Sequence, residues 1–281
     1  MLSIVCGFST AIIFAIGTLA SARCSRTLGA PQVVAWSSLV GLVLVGPFAL
    51  RDGIPTNLDR NACLLLAIAG VGNVLGFTSV FLALRVGKIG VVSPIVATQG
   101  VFAAVLAAVG GKSIEPLIAF VLLAIVVGII IAAKSRDPAP IPNENNLRAA
   151  LFASAGAIFF GLSLFAIGML SGLLPLAWLL LPGRAVGVFA LAVPLIVANR
   201  LRVTKATAPL LALVGICDIA GITMYAIGAQ QNIAVTAVVA SQMAPMAAVL
   251  AYFIFGERLG KGQIVGLVVI LSGVTVLSFL Q

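Results

Sequence analysis

Apolar runs of about 18–22 residues recur ten times along this chain, at roughly 3–22, 32–50, 62–84, 90–109, 116–133, 149–170, 176–198, 208–228, 233–255 and 262–280. An α-helix rises 1.5 Å per residue, so about 20 residues cover the roughly 30 Å of bilayer hydrocarbon. Backbone polar groups inside lipid must be satisfied within the spanning element, so runs this long predict transmembrane helices. Charged residues make up 8% of the chain and the mean hydropathy is +1.26, whereas a soluble domain carries about 25% charged residues. The longest polar stretch is about 14 residues. The expected fold is an all-α polytopic membrane protein without a soluble domain, multi-pass in the inner or plasma membrane.

That polar stretch is Lys134–Leu147, with Pro138, Pro140 and Pro142 within five residues, and proline cannot continue a helix. It reads as a linker, 134–148, between a first half (1–133) and a second half (149–281). Sliding the chain by 145 residues places Phe14 on Phe159, Gly76 on Gly221, Gly111 on Gly256 and Gly128 on Gly273. Glycines recurring at one offset on both sides of a linker point to an internal duplication. Each half holds five spans, an odd number, so the second enters the membrane inverted. Two inverted five-helix repeats are an architecture of secondary transporters, with the substrate site near the midplane where the halves meet.

The loop charges are lopsided. One side holds Arg51, Arg60 and Lys112. The other holds 12 basic residues, and Arg184 lies inside the seventh span, which accounts for the 16 present. The positive-inside rule puts the richer side in the cytoplasm and both termini outside. It also explains the net charge of +9 without nucleic acid, since no basic stripe is interleaved with aromatics. The first run ends in Ala20-Ser21-Ala22, which resembles a signal-peptidase site, but no basic region precedes it; it is read as the first span.

Chemistry-bearing residues are few. There is no histidine, and the four cysteines show no metal-ligand spacing, so neither a metal nor a catalytic group is expected, and no cofactor. Of seven acids, Asp52, Asp59, Glu115, Asp137, Glu144 and Glu257 fall in loops or at helix ends and read as solvated charges. Only Asp218 lies deep, and an ionisable group at that depth is a functional candidate by default. The repeat places Asn73 opposite it, and Asp218, Gly221, Tyr225 and Gly228 follow helical spacing on one face. Arg184 either snorkels to the interface or faces a cavity, paired with Asp218 or holding an anionic group. Gln99 and Gln242 occupy corresponding regions of the halves and are expected to line the cavity. Ser37, Ser38 and Trp36 are weaker candidates, and Trp178 reads as an interfacial anchor.

Ten helices in two five-helix repeats, with Ala244-Pro245-Met246 in the ninth span, the turn Gly256-Glu257-Arg258 and Gly262, Gly266 and Gly273 in the tenth, resemble the drug/metabolite transporter superfamily, most closely its EamA-type members. An arginine in the second helix of a repeat, as at Arg184, is common there; the first half departs, with Ser37 and Ser38 near the equivalent position. The resemblance implies cytoplasmic termini, against the loop charges, which are followed here. It also implies a small-molecule substrate. The function expected is secondary transport, in the export direction, of a small polar metabolite such as an amino acid, by alternating access. An ion gradient or the substrate gradient is the expected drive, with proton coupling at Asp218 as one candidate, and the protein stands as a monomer or homodimer in the lipid bilayer. The alternatives are a non-transporting membrane scaffold and, less favoured, a membrane-embedded enzyme.

Overall fold

A computed structural model describes residues 2–55, 58–99, 102, 116–134, 144–170, 173–231, 239–240 and 243–280. Among these the regular structure is helical: α1 (Leu2–Leu28), α2 (Ala30–Asp52), α3 (Arg60–Val86), α4 (Ile89–Ala97), α5 (Pro116–Lys134), α6 (Asn146–Leu170), α7 (Leu176–Val197), α8 (Ala208–Gln231), α9 (Met243–Phe255) and α10 (Lys261–Leu280). Six described helices, within α1, α2, α3, α6, α7 and α8, are long and apolar enough to cross a membrane. The proline-rich linker lies largely outside the described residues.

Several boundaries differ from the hydropathy reading for local reasons. Helix α1 runs past its apolar run to Leu28, because Arg26 is held by carbonyls of α3 (Leu84 at 3.0 Å) and of Gly87 (3.1 Å) rather than by water. Gly29, at φ 89°, then joins α1 to α2 in a single residue, a conformation that costs glycine little. In α7 a π-helical stretch, Val188–Ala192, precedes Pro194. Proline lacks an N–H and crowds the carbonyl four residues back, and the wider turn accommodates both. Helix α4 is described only to Ala97, short of the expected 90–109 run.

The helices of the first half pack chiefly on those of the second: α1 on α8, α2 on α7, α3 on α6, α4 on α9 and α5 on α10. The glycines make these contacts close. A Cβ at Gly128 would come 3.0 Å from Ile270 Cγ1, and one at Gly273 would come 2.5 Å from Ile125 Cγ1. The two contacts exchange under the 145-residue offset. Across α2 and α7, Gly41 lies under Arg184 and Gly187 under Ser38, a pair that exchanges at an offset of 146. On α3 and α8, Gly76 lies under Phe160, and Gly221 under Phe14. With little hydrophobic force between helices in lipid, such close backbone approach is what holds a bundle together.

Candidate functional site

Asp218 stands ten residues into α8, about 15 Å along its axis and so near mid-bilayer. Its carboxylate forms an ion pair with the Arg184 guanidinium of α7. Both side chains are buried, at 2% exposure for Arg184 and 6% for Asp218. Snorkelling is thereby excluded for Arg184. Its stem lies over Gly41 of α2, where a Cβ would come 2.6 Å from Arg184 Cδ. The cation sits 5.9 Å from the centroid of the Phe77 ring on α3. Phe77 in turn packs edge-on against Phe160 of α6 at 4.9 Å. Arg184 Nε has no acceptor among the described residues, so this cation keeps an unused donor.

Asn73 reaches the same place from α3, its Oδ1 against the backbone of Gly183. Ala69, Asn73, Ser163, Ile167, Leu180, Gly183 and Arg184 border a cavity of about 10 Å³, room for about one water molecule. Ser163 belongs to the site but was not foreseen. It is buried, and its hydroxyl donates to the Ala69 carbonyl at 2.9 Å. Ser163 follows Phe159 and Phe160 by one helical turn, on the face of α6 that meets Gly72 and Gly76.

The other expected residues divide. Tyr225 lies two turns beyond Asp218 on α8 and is partly buried. Gly221 turns towards Phe14 of α1 rather than joining Asp218 against α7. Gln99 is partly buried just beyond the end of α4. Gln242 lies outside the described residues. Ser37 and Ser38 are buried in α2, and Ser38 faces Gly187. Trp178 donates its indole N–H to the Gly53 carbonyl at 2.8 Å, and Trp36 donates to that of Arg202 at 3.1 Å. Both therefore fasten helix ends of opposite halves.

One reading is overturned. Glu257 is not a solvated loop charge. It is 95% enclosed by its neighbours, at 5% exposure, and bonds both Arg26 of α1 and the first amide of α4. Chain position alone hid this, because the turn after α9 folds inward against two helices of the first half.

A bundle of membrane-length helices around a buried cation and acid, with a half-buried amide beside them, defines a multi-pass membrane protein with a polar site at mid-depth. Residues 1–133 match the model of the EamA-like transporter family, the domain of the drug/metabolite transporter superfamily, so the first part of the chain is similar to a family of membrane transporters. The motif that carried the resemblance lies in the other half, at residues 244–273. A crystal structure described only as that of a protein is similar to the whole chain, with a TM-score of 0.62 at 17% identity over 99% of this chain and 96% of that one. At that identity it speaks for the fold alone. No curated protein matches the chain.

Proposed function

We propose that this protein is a secondary transporter that moves a small polar metabolite, such as an amino acid, by alternating access in the export direction. The observation that carries this reading is the buried Arg184–Asp218 pair. A buried ion pair is a poor source of stability, since apolar residues of similar volume often do as well; its retention at mid-bilayer argues for a task. A zwitterion suits the pair, because its anionic group replaces Asp218 at Arg184 while its cationic group takes over Asp218, and no charge is left unpaired. Asn73, Tyr225, Gln99 and Gln242 are the further residues assigned to the substrate.

Helices α1–α5 and α6–α10 are read as two inverted repeats, 1–133 and 149–281, joined by the 134–148 linker. The exchanged glycine contacts support this, as does the pairing of each helix with a helix of the other half. Site and seams lie within one chain, so a single protomer is the transporting unit, whether monomer or homodimer. The setting is the inner or plasma membrane with the basic face in the cytoplasm. A proton-coupled cycle would pass through Asp218.

The test is counterflow of labelled amino acids in liposomes holding the purified protein. Saturable exchange that disappears in Asp218→Asn and in Arg184→Gln is expected. Folded protein that exchanges neither amino acids nor other small polar metabolites would refute the reading. If Asp218→Asn transports normally and keeps its response to an imposed pH gradient, proton coupling at this residue is wrong.

A further inference from the structure

We propose that Glu257 is the latch of a gate on the basic face, and that its bonds hold that face closed in the resting state. The inference rests on the transporter reading. Glu257 sits in the turn between α9 and α10, which leaves α9 at Gly256 with φ 65°. Its Oε1 accepts from Arg26 Nη2 at 2.7 Å, and its Oε2 accepts from the Ile89 amide at 2.9 Å. One carboxylate of the second half thus ties the end of α1 to the start of α4 in the first. Beside it, Lys88 Nζ donates to the Arg258 carbonyl at 2.5 Å. The Arg26 guanidinium also covers the Phe255 ring at 5.8 Å.

The placement is that of a gate. Phe14 packs over Gly221, one turn from Asp218. Arg26 lies 12 residues further along α1, about 18 Å at 1.5 Å per residue. The latch therefore closes the bundle towards the face where Arg85, Arg148, Arg200 and Arg202 gather. Its bonds are made by side chains and a short turn, which can separate while α1, α4 and α9 stay helical. The sequence does not repeat this set of residues at the equivalent positions of the opposite halves. At the 145-residue offset, Arg26, Lys88 and Glu257 correspond to Ser171, Ile233 and Lys112, one cation with no acid. An ionic closure on the basic face favours the conformer open to the opposite face.

Cys217, next to Asp218 in sequence, is buried on α8 against Gly17 of α1, the helix that the latch holds, so its labelling reports separation of α1 without any substrate. In a Cys6→Ala, Cys24→Ala, Cys63→Ala background, sealed vesicles of each orientation are treated with a membrane-impermeant maleimide. Glu257→Gln is expected to raise Cys217 labelling from the basic face at least 10-fold and not from the other face. The charge swap Arg26→Glu with Glu257→Arg is expected to bring it back towards the parent rate. Unchanged basic-face labelling in folded Glu257→Gln protein overturns the latch. Should that variant not fold, Gly90→Cys with Leu259→Cys keeps Glu257, since a Cβ at Gly90 would already touch the Leu259 side chain. Oxidation of this pair is expected to stop counterflow and reductant to restore it; full counterflow by the oxidised protein overturns the gate. Labelling that responds to Glu257→Gln in a protein that exchanges no metabolite would leave the latch standing and refute the transporter reading instead.

Discussion

Two buried ion pairs among the described residues are built differently. Arg184–Asp218 lies within the second half, its side chains 2% and 6% exposed, and Arg184 Nε lacks an acceptor among the described residues. Arg26–Glu257 crosses between the halves, with Arg26 24% exposed. There both carboxylate oxygens are engaged, and the guanidinium also bonds two backbone carbonyls. A saturated network holds elements in place, because every donor lost leaves a buried group unpaired. An incompletely bonded cation beside a small cavity is ready for another partner. The Arg26–Glu257 arrangement suits a clasp, and the Arg184–Asp218 arrangement suits a binding site.

The sharpest way to break this contrast is to remove one partner from each pair. Arg184→Ala leaves Asp218 buried without a countercharge, and a loss of about 3–5 kcal/mol is expected, read as a large drop in thermal stability in detergent. Replacing both partners, Arg184→Met with Asp218→Leu, is expected to recover most of that stability and none of the transport. Recovery of transport in the double variant would remove the pair from the substrate site. Glu257→Ala is expected to cost less, about 1.5–3 kcal/mol, the scale of hydrogen bonds to a charged group, because solvent reaches Arg26.

Packing supplies a comparison free of charge. A Cβ at Gly76 would come 2.6 Å from Phe160 Cδ1, whereas one at Gly46 meets nothing within 4 Å. Gly76→Ala is expected to lose about 1–3 kcal/mol by overpacking, and Gly46→Ala to stay within about 0.5 kcal/mol of the parent. Equal melting temperatures for the two would contradict the close α3–α6 seam. A modest effect is expected of Trp178→Phe, which removes one exposed hydrogen bond to Gly53 and about 0.5–1.5 kcal/mol, with counterflow retained.

Much of the architecture is legible in the chain, because hydrophobic length maps directly onto bilayer thickness. Helices α2, α6, α7 and α10 fall within a few residues of the apolar runs. The depth of Asp218 follows from counting along one helix. Arg184 was a different case, since hydropathy cannot say which way a long side chain turns; its burial depends on Gly41, a residue of another helix that leaves room for the stem. Glu257 was misread for the same reason. A charge in a turn looks solvated until the turn is known to fold against α1 and α4. Ser163 went unnoticed because a single hydroxyl in an apolar helix carries no periodic signal.

The sequence by itself determined the solvent this protein lives in, the helices that cross it and the pairs of small residues recurring about 145 apart, since these depend on local composition and spacing. Only the tertiary structure decided that Arg184 and Asp218 meet, that Asn73 and Ser163 join them, and that Glu257 is an interior residue. Such contacts arise where side chains from helices far apart in the chain enter one dry space, and burial there depends on every neighbour at once.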